Sequence, residues 1–327
     1  MHSKREVFAQ GRRERTSLIP TRRLNCMSDQ TLTVPAFAKI NWHLRVLGKR
    51  PDNYHEIDTI LQTISVHDTL IFTLVEGPHL ILSCDNASVP SGAENLVIRA
   101  ARALQEQCAP NAGAYIRLEK RIPPAAGLGG ASSDAAVTLL ALANLWGVRP
   151  AVGELSEIAG KLGADVPFFL HGGTALATGI GKEITELPDV PPRFLLLIKP
   201  NASISTAQAY AALKAPSLTT VEAKTILSSS QRSEFFDNLD SEALRNDFDD
   251  VAFKLEPEIG RLKAALVKAG ARASLLAGSG SAVFGIFDSG DAQERAIQAI
   301  ELEAGWRVFP CKTVPRSLYV KALGLSG

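Results

Sequence analysis

Residues 123–136 read Pro-Pro-Ala-Ala-Gly-Leu-Gly-Gly-Ala-Ser-Ser-Asp-Ala-Ala, and a run of helix formers continues from Ala135 to Trp146. Gly127, Gly129 and Gly130 therefore stand immediately ahead of a helix. Glycine permits a positive φ and lets backbone approach a ligand with no Cβ in the way. The first turn of a helix offers unpaired N–H groups and the positive end of the helix dipole. The alternating segment Tyr115 to Glu119 reads as a strand, so the local order is strand, glycine loop, helix. That order suits a phosphate-binding site, or else a tight turn feeding a buried helix. A Walker loop is excluded, because no Gly-x4-Gly-Lys-Ser/Thr occurs, and the glycine spacing does not match the dinucleotide fingerprint.

With 327 residues the chain has room for two domains and a substantial core. The net charge of +1 is unevenly spread. Residues 1–26 contribute seven of the 35 bases and two of the 34 acids, so the rest of the chain carries a net charge of −4. A mildly acidic body argues against nucleic acid as a partner. Its apolar runs fall short of the ~20 residues that span a bilayer. The four cysteines (Cys26, Cys84, Cys108, Cys311) show neither zinc nor Cys-x-x-Cys spacing, the pattern of reduced thiols in a cytoplasmic protein. His55-Glu56 begins like a zincin motif, but Thr59 stands where the second histidine would be. A disordered basic tail is expected over residues 1–30, either as a transit-like leader or as sequence upstream of a start at Met27.

A second group of polar residues lies near the beginning. Ala38, Ile40, Trp42, Leu44 and Val46 alternate with Lys39, Asn41, His43 and Arg45, the period of a strand with one buried face. Lys39 and Asn41 then project side by side, about 7 Å apart along the strand. A turn at Gly48 to Asn53 precedes Tyr54-His55, where an aromatic ring could stack on a flat ligand and an imidazole could bond its edge. Tyr54 could equally be a core residue heading the next strand, Ile57 to Ile64.

Downstream, Leu155, Ile158, Ala159 and Leu162 share one helical face, and Gly163 ends that helix. Asp165 follows, two residues before Pro167, which favours a first helical turn. A carboxylate near such an amino end is stabilised as the anion, whether as a simple cap or as a functional group. In the second half, Gly278-Ser279-Gly280 precedes the apolar strand Ala282 to Phe287. It is either a strand turn or a second loop closing over phosphates.

Taken together, these segments resemble the GHMP kinase superfamily, over nearly everything but the tail. The motifs are Ala38-Lys39-Ile40-Asn41, then Gly48-Lys49-Arg50 through Tyr54-His55, Pro123 to Ser133, Leu162 to Pro167, and Gly278-Ser279-Gly280. The Lys-x-Asn and Tyr-His pairs are most similar to the branch acting on a cytidine-diphosphate-linked methylerythritol. Two departures are visible. Asn53 stands where glycine is usual, a residue that tolerates the left-handed conformation. Ala125 and Ala126 also replace glycines.

The resemblance implies a two-domain α+β fold, S5-like in its N-terminal domain (residues 31–190) and ferredoxin-like in its C-terminal domain (191–322), with the active site between them. It implies transfer of the ATP γ-phosphoryl to the tertiary C2 hydroxyl of that small-molecule substrate, a step in non-mevalonate isoprenoid precursor synthesis. Lys39 and Asp165 would be the catalytic pair. Pro123, Pro124, Ala125, Ala126, Gly127, Leu128, Gly129, Gly130, Ala131, Ser132 and Ser133 would form the ATP loop, with Asn95 and Lys120 towards the adenine. Asn41, Tyr54, His55, Thr206 and Tyr210 would bind substrate, Tyr210 on the far face of the base. Gly278, Ser279 and Gly280 would close over phosphates. Mg²⁺ is implied, through the Ser132 or Ser133 hydroxyl, as is a monomer or weak homodimer without membrane or nucleic-acid partners. Another GHMP kinase with a different alcohol, or a silent nucleotide- or RNA-binding relative, remains the alternative.

An aspartate with a pKa of about 4 cannot simply strip an alcohol of its proton. The gap to a hydroxyl is about 12 units, on the order of 16 kcal/mol. A loose phosphoryl transition state removes the difficulty, because the alcohol turns acidic only as its bond to phosphorus forms.

Overall fold

The computed structural model describes residues 31–217 and 244–324. The expected tail over residues 1–30 lies outside the described residues. Strands β1 (Thr31–Lys49) and β2 (His55–Val75) form one long antiparallel hairpin, followed by β3 (Leu80–Cys84), helix α1 (Leu96–Cys108) and β4 (Gly113–Glu119). Helices α2 (Gly130–Leu145), α3 (Val152–Leu162) and α4 (Phe168–His171) come next, then β5 (Thr174–Thr178) and β6 (Glu183–Glu186). The second half runs β7 (Phe194–Lys199), α5 (Thr206–Leu213), β8 (Arg245–Asn246), α6 (Asp249–Leu255), α7 (Pro257–Lys268), β9 (Ala273–Leu276), β10 (Val283–Phe287), α8 (Gly290–Ala299), β11 (Arg307–Lys312) and α9 (Arg316–Leu323).

The first sheet is ordered β3-β4-β2-β1-β8, with β5 pairing to β2 and β6 to β5. The second is ordered β11-β7-β10-β9, all antiparallel. Its strand–helix–strand–strand–helix–strand succession is the ferredoxin-like arrangement. Ala-rich α2 is apolar on nearly all sides, so it sits fully inside between α1 and the first sheet. In α7, Ile259, Leu262 and Leu266 form the buried stripe that the sequence spacing predicts.

Between the sheets, Ala38, Ile40 and Trp42 of β1 share one core with Leu195, Leu197 and Phe284 of the second sheet. Trp42 is wholly buried. Removing such a ring from water contributes about 4–6 kcal/mol before the cost of ordering it. The opposite face of β1 is not the solvated polar face that alternation alone allows. Lys39 and Asn41 are also buried, because the glycine loops and helices lie over them.

The change of sheet falls between Glu186 and Phe194, a stretch that includes Pro191-Pro192. The segment 191–322 does not stay in the second body, however. β8 adds to the edge of the first sheet beside β1. Helix α9 returns to the first core, where Tyr319 and Leu323 pack with Val314 and the Tyr319 hydroxyl donates to the Phe169 carbonyl at 2.5 Å. The cause is burial: the apolar face of α9 finds its cover beside α4. Among the described residues no helix is long and apolar enough to cross a membrane.

Candidate active site

The two glycine motifs meet backbone to backbone. Gly127, at φ 76°, approaches the Ala277 carbonyl so closely that a Cβ there would stand 2.7 Å from the carbonyl carbon. The Ser281 and Ala282 amides donate to the Ala125 and Ala126 carbonyls at 3.4 and 3.3 Å. Ala125 takes φ 50°, a conformation costing a non-glycine residue about 1–2 kcal/mol. The amide N–H groups of residues 127–132 find no acceptor among the described residues. A run of unpaired amides at the start of a 16-residue helix is the arrangement that receives an anion.

Lys39 lies directly beneath both motifs. Its amide donates to the Leu128 carbonyl at 3.0 Å, and a Cβ built on Gly278 would be 3.2 Å from its ammonium nitrogen. That ammonium donates to Asn41 Oδ1 at 2.9 Å and stands 3.6 Å from Asp165 Oδ2. The chain of bonds continues from Asn41 Nδ2 to Thr59 Oγ1 at 2.7 Å and from that hydroxyl to the His43 carbonyl at 2.6 Å. Lys39 thus has one charged partner, and that partner is the exposed end of the pair: their side chains are 5% and 38% exposed. A cation buried on one side and a carboxylate reachable from solvent on the other fit an alcohol arriving beside Asp165.

At the substrate end, Tyr54 is 59% exposed, which rules out the core alternative for it. Asp52 accepts from the Tyr54 amide at 3.1 Å, and Asn53 takes φ 68° in the turn. The His55 ring stacks on Tyr210 with centroids 4.5 Å apart and planes 24° apart. That spacing leaves no slot for a base between them, so the Tyr210 face expected for the base carries His55 instead. Burial first, then the Lys49 charge, hold His55 below its ordinary pKa, which keeps the ring neutral at pH 7. Burial, with the Asp165 charge adding to it, pushes the Tyr210 phenol up to about 12. The Thr206 hydroxyl lies 3.1 Å from that of Ser279, joining α5 to the second glycine motif.

The two residues expected near the adenine have other partners. Asn95 caps α1, its Oδ1 accepting from the Val97 amide at 2.8 Å and its Nδ2 donating to the Pro90 carbonyl at 2.6 Å. Lys120 is held between two buried carboxylates, Asp68 and Asp134, the latter at 2.7 Å. Asp68 also accepts from the amides of Arg121 and Ile122, at 2.5 and 2.8 Å. Burial pushes the Asp134 carboxyl up to about 7, against the pull of Lys120.

The Ser132 and Ser133 hydroxyls differ in access. Ser133 is wholly buried and its hydroxyl has no partner. Ser132 is half-buried, and its hydroxyl faces Gly163, two residues before Asp165. Mg²⁺ is commonly held by one or two protein oxygens together with phosphate and water. Ser132 and Asp165 fit that donor set, whereas Ser133 does not.

Sequence reasoning missed Asp68, Asp134 and Asn246. Asp68 and Asp134 meet Lys120 only because β2, β4 and α2 converge, and no local pattern links the three positions. Asn246 Nδ2 donates to the carbonyls of Leu276 and Gly278, at 2.9 and 2.7 Å. In the sequence it is one polar residue in a polar run, Arg245 to Asp250.

Comparison with known proteins agrees with this geometry. The families of GHMP kinases N-terminal and C-terminal domains match residues 95–173 and 227–305. The 4-diphosphocytidyl-2-C-methyl-D-erythritol kinase of Syntrophotalea carbinolica is 39% identical over 277 residues, 85% of this chain and 97% of that protein. The chain belongs to this kinase family. The enzyme of the same name from Pelotomaculum thermopropionicum is 44% identical over 257 residues, 78% of this chain and 88% of that protein. A crystal structure of 4-(cytidine 5'-diphospho)-2C-methyl-D-erythritol kinase superposes with a TM-score of 0.72 at 35% identity, covering 86% of this chain and 99% of that one. Homoserine kinase from Cytophaga hutchinsonii, at 19% identity and a TM-score of 0.66, shares the fold. The protein is thus a small-molecule GHMP kinase with an α+β, two-domain fold.

Proposed function

We propose that this kinase transfers the γ-phosphoryl group of ATP to the C2 hydroxyl of 4-diphosphocytidyl-2-C-methyl-D-erythritol, a step of non-mevalonate isoprenoid precursor synthesis. The observation that carries the reading is the Lys39–Asp165 pair, 3.6 Å apart beneath two interlocked glycine motifs. The bond from the substrate oxygen to γ-phosphorus forms as the bond from γ-phosphorus to the β,γ-bridging oxygen breaks, and ADP leaves. Asp165 orients the hydroxyl and takes its proton late in the transfer. Lys39 offsets negative charge on the transferring group, while Asn41 holds the ammonium in place. The free amides of residues 127–132 receive the phosphates. Mg²⁺, bound through Ser132 and Asp165, would neutralise charge on the phosphate oxygens.

Tyr54 takes the cytosine by stacking on its exposed ring, and neutral His55 offers both a donor and an acceptor to the base edge. For Tyr210 to cover the second face of the base, His55 must first swing off it. Cys84, Cys108 and Cys311 are free thiols, which supports a reducing, cytoplasmic setting. The test is ADP release measured in parallel with the cytidyl methylerythritol, mevalonate and homoserine. Turnover with the first alone is expected. Equal or better turnover with another alcohol would refute the substrate while leaving the kinase standing.

A further inference from the structure

The second glycine motif, Gly278-Ser279-Gly280, sits in a turn between β9 and β10, and such turns can adopt several peptide orientations. Something must select one. The side chain of Asn246 does so from beneath. It is 5% exposed, and its Nδ2 spends both hydrogens on the carbonyls of Leu276 and Gly278, on either side of Ala277. Its Oδ1 accepts from the Phe248 amide at 3.0 Å, so the amide cannot turn over without losing three bonds.

The support for Asn246 is itself rigid. It lies in β8, paired to Leu44 of β1, three residues beyond Asn41. The Asp247 amide donates to the Leu44 carbonyl at 3.0 Å, and Asp247 Oδ2 accepts from the Val46 amide at 2.9 Å. From the next turn Asp249 Oδ1 accepts the Leu276 amide at 3.1 Å. The strand that carries Lys39 and the turn that carries Gly278 are therefore fixed to each other through a single corner of chain, residues 246–249.

A trans peptide sets its C=O and N–H in opposite directions. Holding the Gly278 carbonyl on Asn246 thus turns the Ser279 N–H away from Asn246. On the other side of Gly278 lie the Gly127 carbonyl and the Lys39 ammonium. The amides of Gly278 and Ser279 have no acceptor among the described residues.

We infer that Asn246 is a positioning residue for phosphoryl transfer: its buried amide fixes the peptide planes of the second glycine motif so that the Gly278 and Ser279 N–H groups face the triphosphate. The inference rests on the reading of the protein as an ATP-dependent kinase. Asn246 itself touches neither nucleotide nor alcohol.

The test compares wild type with Asn246→Asp and Asn246→Ser in steady-state kinetics against both substrates. Each variant keeps an oxygen able to accept from Phe248 and removes the paired donors; Ser is the neutral control for the charge that Asp brings. For both, the KM for ATP should rise about tenfold or more, while the KM for the cytidyl substrate is unchanged. Binding of a non-hydrolysable ATP analogue should weaken in step. An unchanged KM for ATP in either folded variant overturns the inference, as does an equal rise in both KM values. Failure of both variants to fold, seen by circular dichroism, also overturns it by making Asn246 a general core residue. Wild type that releases no ADP with any alcohol would instead sink the kinase reading.

Discussion

The carbonyl group of Ala277 occupies the space that a Cβ on Gly127 would need, and Gly127 also holds φ 76°. Backbone cannot yield there as the end of a side chain can. Gly127→Ala should therefore separate the two glycine motifs rather than merely strain one residue. Left-handed strain alone costs a non-glycine residue about 1–3 kcal/mol. Activity should fall by more than the loss of folded protein explains, which a thermal melt alongside single-turnover kinetics will show.

Asp165 is the accessible member of its ion pair with Lys39. Asp165→Asn keeps the shape and removes the proton acceptor, so kcat should drop by about 10²–10⁴ with nucleotide affinity retained. Titration with a fluorescent ATP analogue separates the two effects. Turnover near wild type would remove Asp165 from the mechanism.

Tyr54 is exposed and its ring carries no core packing. Tyr54→Ala should leave the melting temperature within the range of a surface substitution, about ±0.5 kcal/mol in stability. The KM for the cytidyl substrate should rise by about 5–150-fold, the worth of one stacked base. A variant with unchanged KM would mean that the base is held elsewhere.

The buried trio of Asp68, Lys120 and Asp134 makes stability depend on pH. Folding raises the Asp134 pKa from its ordinary 3.8 to about 7, so between these values the folded state holds more protons than the unfolded one. That sign means stability falls as pH rises through this window. Asp134→Asn should flatten the slope, read from denaturant midpoints at pH 5 and pH 8. Lys120→Met should be far worse, about 3–5 kcal/mol, because it leaves two buried carboxylates facing one another.

Much of this was legible in the sequence because the relevant signals are local. Gly127, Gly129 and Gly130 advertise a loop before a helix, and Ile259, Leu262 and Leu266 advertise a buried stripe. The fate of the other face of β1 was not legible. Alternation shows that Lys39 and Asn41 share a side, but only tertiary packing decides that this side is covered. Asn95 carried two readings, since a cap and a ligand contact both call for a short amide. His55 lying on Tyr210 joins positions 55 and 210, and Asn246 beneath Gly278 joins two loops; neither contact leaves any periodic trace along the chain.

Helix α9 ends in the first body, although the strand before it belongs to the second. The ferredoxin-like part is thus an excursion, tethered where it departs after β6 and again where it comes home through Val314 and Tyr319. A door hung on two posts cannot swing freely. Any tightening of the two halves around nucleotide is restricted to rotation about the line joining those tethers. A fragment cut at residue 190 would likewise keep its sheet but lose Val314, Tyr319 and Leu323 from its centre.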